Sequence, residues 1–237
     1  MIGLILATGS TDSRSHDRLA SPRGLMPIGN QPLVFHIADR LTESGCREIM
    51  VVTHASHQDL YRAQFADLYK PIPVRVETLP EADTVHSFIE AVRMVDACPI
   101  MAVADDEIFD FSLRSLIAER ERTGRPVVAV IAPERIEGDL QKLNFGMCAT
   151  DSRGHVTGVS SSFYHERDIT GGYILTGIYY YDSIDTAKLL HLDTSRSSPE
   201  LIHDMHIELQ ALPIEHGYWA DLGKPEMLAI ARRKYEA

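Results

Sequence analysis

Two loops of this chain carry residue types suited to phosphate chemistry, and each follows an apolar segment. A run of small residues extends from Ala7 to Ser10, and such a run lets backbone N–H groups approach a phosphate or a nucleobase closely. A second loop begins with two adjacent carboxylates, Asp105 and Asp106, directly after Ala104. From the residues alone, an ordinary polar surface loop and a turn at the end of a strand remain the other interpretations.

The elements around these loops predict a layered α/β fold. Apolar runs predict buried strands at residues 3–7, 49–53, 100–104 and 127–131. A shorter strand is predicted at residues 74–77. Helices of about ten residues are predicted between them, and this succession is typical of a mostly parallel sheet with helices on both faces. Because ligands bind at the carboxyl ends of parallel strands, we expect a ligand site at the loops after Ala7 and Ala104.

The second half of the chain changes character. Its sequence predicts strands at residues 144–149, 156–160 and 173–181. Helices are predicted after them at residues 184–190, 201–210 and 225–235. No linker, internal repeat or low-complexity tract divides the chain. We therefore expect a single domain over residues 1–237, in which the second half adds a small β-rich lobe that faces the substrate.

Composition excludes several classes of protein. The chain has 237 residues, 44% of them hydrophobic and 24% charged, which is ordinary for a globular protein. Its net charge of −11 opposes nonspecific binding of nucleic acid or of an anionic membrane. No apolar run approaches the roughly 20 residues of a membrane span, and the first residues lack a cationic leader. The three scattered cysteines predict no disulfide framework, so we expect a cytoplasmic protein.

Five segments resemble motifs of the sugar-phosphate nucleotidyltransferases, in particular the glucose-1-phosphate thymidylyltransferase type. They follow the family's order along nearly the whole chain: the loop from Leu6 with Pro22-Arg23-Gly24, then Val103 to Phe109, Asn144 to Met147, Thr176 to Tyr181, and Trp219 to Gly223. The resemblance implies a Rossmann-like nucleotidyltransferase fold, with residues 1–135 as the nucleotide-binding half and residues 136–237 as the sugar-phosphate-binding half. It extends almost to Ala237, so no appended acyltransferase-like repeat is expected.

The resemblance also implies the reaction and its partners. A nucleoside triphosphate and a sugar 1-phosphate would form a nucleotide sugar and pyrophosphate, with Mg²⁺ held by Asp106 and Asp221, since hard oxygen ligands suit that ion. Arg23 and Arg14 would act with Asp106 in catalysis. The implied nucleotide contacts are Leu6, Ala7, Thr8, Gly9, Ser10, Arg23, Thr84 and Asp106, and the implied sugar-phosphate contacts are Gly146, Arg167, Thr176 and Gly177. A homo-oligomer is possible through exposed tyrosines at residues 179–181.

The chain departs from the family pattern in its phosphate loop. The positions of the family's loop glycine, threonine and catalytic arginine fall on Thr11, Asp12 and Ser13, and Arg14 stands one place late. The family lysine is replaced by Arg23, and arginine differs from lysine in shape at a phosphate site. These departures keep open a non-catalytic or regulatory relative that binds a nucleotide or a sugar nucleotide. A metal-dependent glycosyltransferase, with its metal at Asp105 and Asp106, is the second alternative. A shift of one residue would exchange Asp105 with Asp106.

Overall fold

A nine-stranded sheet forms the centre of the protein in a computed structural model, which describes residues 1–8, 22–69, 71–79, 84–137, 145–160 and 172–235. In chain order the strands are β1 (Ile2–Ala7), β2 (Pro27–Ile28), β3 (Gln31–Pro32), β4 (Glu48–His54), β5 (Val74–Leu79), β6 (Ile100–Ala104), β7 (Glu107–Phe109), β8 (Val127–Ile131), β9 (Met147–Thr150), β10 (Val156–Ser160), β11 (Tyr173–Tyr181), β12 (Gln210–Pro213) and β13 (Trp219–Asp221). Strands β2 and β3 form one separate two-stranded sheet, and strands β7 and β13 form another.

Seven α-helices lie within the described ranges. They are α1 (Leu33–Glu43), α2 (Gln58–Leu68), α3 (Thr84–Arg93), α4 (Arg114–Thr123), α5 (Ser183–Leu189), α6 (Ser198–Ile207) and α7 (Pro225–Tyr235). A short 3-10 turn, Arg23–Leu25, precedes β2. None of these helices has both the length and the apolar character that crossing a membrane requires.

The large sheet is mostly parallel, as predicted. Its order is β10-β9-β11-β6-β1-β4-β5, with β8 paired to β11 and β12 paired to β8. The pairings make seven of these nine strands run in one direction, and β10 and β11 run opposite to them. The carboxyl ends of β1, β4, β5 and β6 therefore meet at one edge of the sheet.

Helices cover both faces of the sheet, which confirms the predicted layers. Alternate residues of β1 separate the two sides: Ile5 packs in one buried cluster with α1 and α2, whereas Leu4 packs in another with α3 and α6. A strand buried on both faces has no position for a polar side chain, which accounts for the continuous apolar run at residues 3–7.

Two predictions of the second half are wrong. The helix predicted at 201–210 starts earlier, at Ser198, because Ser197 and Glu200 form a capping box. Its predicted end, Gln210, instead begins strand β12, which pairs in parallel with β8. The tyrosines at 179–181 offer no exposed interface, because β11 lies between β6 and β8 and buries Tyr180 and Tyr181.

Candidate active site

The loops after β1 and β6 are neighbours at the carboxyl edge of the sheet. Leu6 pairs with Ala104 in the parallel register, and the Asp105 N–H donates to the Leu6 carbonyl at 3.0 Å. The side chains of Leu6, Ala7 and Thr8 are buried. The start of the small-residue loop and the acidic pair therefore adjoin each other.

A short antiparallel ladder brings the C-terminal motif to the acidic pair. Strand β13 pairs with β7 so that Asp221 lies opposite Glu107, and the Leu222 N–H donates to the Asp106 carbonyl at 2.7 Å. These backbone bonds set the register of two segments that are far apart in the sequence. Asp106 and Asp221 are thereby placed side by side.

Gly223 marks the point where the charged groups converge. A Cβ built on this residue would lie 2.8 Å from Nη1 of Arg23, 2.8 Å from Oδ2 of Asp106 and 2.8 Å from Oδ1 of Asp221. The two carboxylate oxygens are consequently no farther apart than twice that distance. Nη1 of Arg23 also pairs with Oδ2 of Asp106 at 2.9 Å. The glycine leaves open a space lined by two acidic groups and one cation.

Burial and mutual repulsion raise the pKa values of three carboxyl groups of the cluster, namely Asp221, Asp105 and Glu107. Burial first, and then the charge of Asp106, raises the pKa of Asp221 to about 6. The same two causes raise the pKa of Asp105 to about 7. Burial and the charges of Asp221 and Asp106 raise the pKa of Glu107 well above its ordinary value. Such a concentration of acid favours the binding of a further cation.

Nearby cations offset only part of this charge. Arg23 pairs with Asp106, and Nζ of Lys224 lies 3.9 Å from Oδ2 of Asp221. No group of three or more His, Cys, Asp or Glu side chains in the described parts of the chain has an arrangement that holds a metal through protein ligands alone. A cation at this site would therefore share its coordination with water or with a ligand.

Asp105 and Asp106 have different surroundings although they are adjacent. Asp106 faces Arg23 and the space at Gly223, whereas Asp105 is buried and its Oδ2 accepts hydrogen bonds from the Tyr61 hydroxyl at 2.7 Å and from the Gly24 N–H at 3.0 Å. The sequence left open which of the two aspartates faces Asp221, and in the structure it is Asp106.

The predicted sugar-phosphate contacts differ in what they can offer. Gly177 adjoins the acidic cluster, since a Cβ there would lie 2.9 Å from Oε1 of Glu107. Gly146 accepts a hydrogen bond from the Leu175 N–H at 2.9 Å and follows Phe145, whose ring packs on Trp219. The Thr176 side chain is fully buried and donates to the Ala129 carbonyl, so its hydroxyl is committed within the sheet.

Several predicted contacts are not described. Gly9, Ser10, Arg14 and Arg167 lie outside the described residues, as do the loop positions at which the chain departs from the family. Thr84 is described, and it is exposed at the first residue of α3.

Sequence reasoning missed four residues of this cluster. Glu107, Gly223 and Lys224 stand within or beside the motifs that contain Asp106 and Asp221, so their proximity to those aspartates in the sequence could have found them. Tyr61 stands on α2 in no motif, and only the tertiary structure brings it to Asp105.

Comparisons with known proteins agree with the fold. The family profile described as "Nucleotidyl transferase" matches residues 3–237. The "UTP–glucose-1-phosphate uridylyltransferase AglF" of Haloferax volcanii is 21% identical over 234 residues, covering 95% of this chain and 93% of that protein. A "Mannose-1-phosphate guanyltransferase" of Gibberella zeae is 23% identical over 234 residues, covering 95% of this chain and 62% of that protein.

Solved structures show the same fold. A putative glucose-1-phosphate thymidylyltransferase from Bacillus anthracis, in complex with a sucrose, superposes with a TM-score of 0.80 at 19% identity and covers 100% of this chain and 96% of its own. HddC from Yersinia pseudotuberculosis, complexed with GMP-PN, superposes with a TM-score of 0.74 at 15% identity and covers 99% of both chains.

Proposed function

The chain belongs to the nucleotidyl transferase family, and from this premise we propose that it transfers a nucleoside monophosphate unit from a nucleoside triphosphate to a sugar 1-phosphate. A phosphate oxygen of the sugar 1-phosphate would attack the α-phosphorus, the bond from that phosphorus to the β-phosphate oxygen would break, and pyrophosphate would leave with the electron pair. The products are a nucleotide sugar and pyrophosphate. The named activities of the Haloferax and Gibberella relatives support this reaction class.

The convergence of Asp106, Asp221 and Arg23 around Gly223 carries the proposal. Two polyanions can react only if their charges are offset and their reacting atoms are aligned, and this transfer needs no covalent enzyme intermediate. In a chain with a net charge of −11, local cations must overcome the overall field. We propose that Arg23 leaves its partner Asp106 to hold phosphate oxygens when the triphosphate binds, because the guanidinium group matches the geometry of phosphate.

The residues at Gly223 also fit a magnesium ion. Carboxylate oxygens are ligands that Mg²⁺ prefers, and the missing side chain at residue 223 leaves space between the two carboxylates. Asp106 and Asp221 would hold the ion, and phosphate oxygens and water would complete its coordination. When bound, Mg²⁺ supplies charge neutralisation to the phosphate oxygens.

The remaining assignments are proposals of the same kind. The backbone from Leu6 to Ser10 and Thr84 would face the nucleotide, and Arg14 would assist Arg23. Gly146 and Gly177 would line the sugar side, with Arg167 near the sugar phosphate, whereas the fully buried Thr176 would not contact the sugar. The unpaired thiols of Cys46, Cys98 and Cys148 support a reducing compartment such as the cytoplasm.

A matrix of four nucleoside triphosphates against several sugar 1-phosphates, with Mg²⁺ and a pyrophosphate assay, tests the reaction. We expect pyrophosphate from at least one pair, and we expect Asp106→Asn and Asp221→Asn each to lower the rate by about a thousandfold, since each removes a proposed anionic ligand of Mg²⁺. Asp59→Asn, at an exposed position of α2, is the matched control and should leave the rate unchanged.

Each contrary outcome has a distinct meaning. Release of a nucleoside diphosphate from a nucleotide sugar, without pyrophosphate, would replace the proposal with glycosyl transfer. Binding of a triphosphate in a thermal-shift assay without any turnover would indicate a binding protein. Full activity in both the Asp106 and the Asp221 variants would remove these carboxylates from the site.

A further inference from the structure

Tyr61 lies behind the acidic cluster and contacts it through one hydrogen bond. Its side chain is fully buried on α2, and its hydroxyl donates to Oδ2 of Asp105 at 2.7 Å. Complete burial prevents the phenol from touching a substrate. The role of this contact must therefore lie in what Asp105 holds.

The same oxygen of Asp105 also holds the turn that carries Arg23. The Gly24 N–H donates to Oδ2 of Asp105 at 3.0 Å, and a Cβ added to Gly24 would lie only 2.7 Å from the Tyr61 hydroxyl oxygen. Tyr61, Asp105 and Gly24 are thus packed without free space, and one carboxylate oxygen receives two donors from different parts of the chain.

Two adjacent carboxylates bind two adjacent residues. Asp105 accepts from Gly24, while Asp106 pairs with Arg23 at 2.9 Å. The first contact sets the backbone position of the turn and the second sets the direction of the guanidinium. A guanidinium that must meet phosphate oxygens loses much of its effect when it is displaced by about 1 Å.

We propose that Tyr61 is a positioning residue which, through Asp105, fixes the Arg23–Gly24 turn and so determines where the charge of Arg23 meets the triphosphate. This inference rests on the proposed function, because it assigns Arg23 to the triphosphate. Tyr61 is not a catalytic residue, since it contacts neither the reacting groups nor the space at Gly223.

Tyr61→Phe is the direct test, because it removes the hydroxyl and keeps the ring. Tyr69→Phe is the matched control: Tyr69 also lies at α2, is also buried, and bonds through its hydroxyl to Oγ1 of Thr42 at 3.0 Å, away from Asp105. Both variants lose one buried tyrosine hydrogen bond. Only the first should affect Arg23.

Two measurements separate positioning from general destabilisation. Hydrogen exchange of a peptide over residues 22–28 should become faster in Tyr61→Phe and stay unchanged in Tyr69→Phe. In steady-state kinetics, Tyr61→Phe should lower kcat about 5- to 30-fold, which corresponds to about 1–2 kcal/mol, and leave KM for the sugar 1-phosphate within about twofold. Combining Tyr61→Phe with Arg23→Ala should add no further loss to Arg23→Ala alone.

Gly24→Ala provides a second route if Tyr61→Phe does not fold. The added methyl group would push against the Tyr61 hydroxyl and Asp105 while keeping both residues, and it should produce the same faster exchange and lower kcat. Unchanged exchange at residues 22–28 would overturn the proposal, as would faster exchange with unchanged kcat. Equal effects of Tyr61→Phe and Tyr69→Phe would also overturn it.

Failure of the proposed function gives a different result. If the wild-type protein releases no pyrophosphate, the affinity for a nucleoside triphosphate, measured by calorimetry, replaces kcat. Weaker binding in Tyr61→Phe, with no further weakening when Arg23→Ala is added, would then support the positioning role without the reaction. Equal binding by the wild type and Tyr61→Phe would overturn it.

Discussion

The carboxylate of Glu107 lies directly against the backbone of Gly177. Its Oε1 is 2.9 Å from the position that a Cβ of residue 177 would occupy, and Gly177 has a φ of +71°. Both the close approach and the left-handed backbone require glycine. This contact lets strand β11 pass beside the loop that carries the acidic cluster, so the two halves of the chain meet at the site.

Replacement of Gly177 by alanine should therefore destabilise the protein. The left-handed conformation costs an L-residue roughly 1–2 kcal/mol, and the contact with Glu107 adds to this, so we expect the free energy of unfolding to fall by about 2 kcal/mol or more. Urea denaturation measures the change. Gly158→Ala, at a position where an added Cβ would have no heavy atom within 4 Å beyond its two chain neighbours, should change the free energy by less than about 0.5 kcal/mol. Equal effects of the two substitutions would contradict the assignment.

Gly223→Ala should remove activity while the protein stays folded. The added methyl carbon would lie 2.8 Å from polar atoms of Arg23, Asp106 and Asp221, where we propose that Mg²⁺ binds. We expect the rate to fall by about a hundredfold or more and the Mg²⁺ concentration for half-maximal rate to rise. Gly158→Ala again serves as the control. A Gly223→Ala enzyme with the wild-type Mg²⁺ dependence would show that the ion binds elsewhere.

Arg23→Ala should weaken the binding of the nucleoside triphosphate. Loss of one charge-assisted contact to phosphate corresponds to about 1.5–3 kcal/mol, which is roughly a 10- to 100-fold increase in Kd by calorimetry. Arg23→Lys should recover part of this affinity, because it keeps the charge and loses the planar fork. Arg47→Ala, at an exposed residue before the amino end of β4, is the control for net charge. Equal affinities of the Arg23→Ala and Arg47→Ala proteins would place Arg23 outside the nucleotide site.

His206 should make the protein less stable in acid. Burial lowers the pKa of its imidazole below the ordinary 6.5 and outweighs the hydrogen bond to the Ile202 carbonyl at 2.7 Å, which acts in the opposite direction. The Tyr179 hydroxyl lies 3.2 Å from Nε2 of the same ring. Below pH 6.5 the unfolded chain binds a proton at this residue that the folded chain does not bind. The free energy of unfolding contributed by His206 is therefore present above pH 6.5 and falls with decreasing pH, by at most about 1.4 kcal/mol per pH unit.

The difference between the wild type and His206→Gln isolates this contribution, since the buried carboxyl groups titrate in both proteins. Urea denaturation between pH 5 and 8 should give a smaller loss of stability on acidification for His206→Gln. His203→Gln, at an exposed position of the same helix, should follow the wild type. Parallel pH curves for the wild type and His206→Gln would show that the native state accommodates the protonated ring.

The order of the elements could be predicted because a strand that is buried on both faces of the sheet is a continuous run of apolar residues. Strands such as β1 and β8 are continuous apolar runs, and the mostly parallel sheet with helices on both faces is confirmed. The family resemblance is confirmed by the profile over residues 3–237. The helix predicted at 201–210 was wrong at both ends, because the Ser197 capping box and the pairing of β12 with β8 override the apolar spacing.

By itself, the sequence determined that Ala7 and Ala104 end buried strands, since a continuous run of apolar side chains is contained within each segment. It also determined the family, through motifs that stand in the right order. Only the tertiary structure decided that Asp106 rather than Asp105 faces Asp221, and that Tyr61 contacts Asp105. Those relationships depend on strand pairing and close packing between segments many residues apart, and such contacts leave no periodic signal in either segment alone.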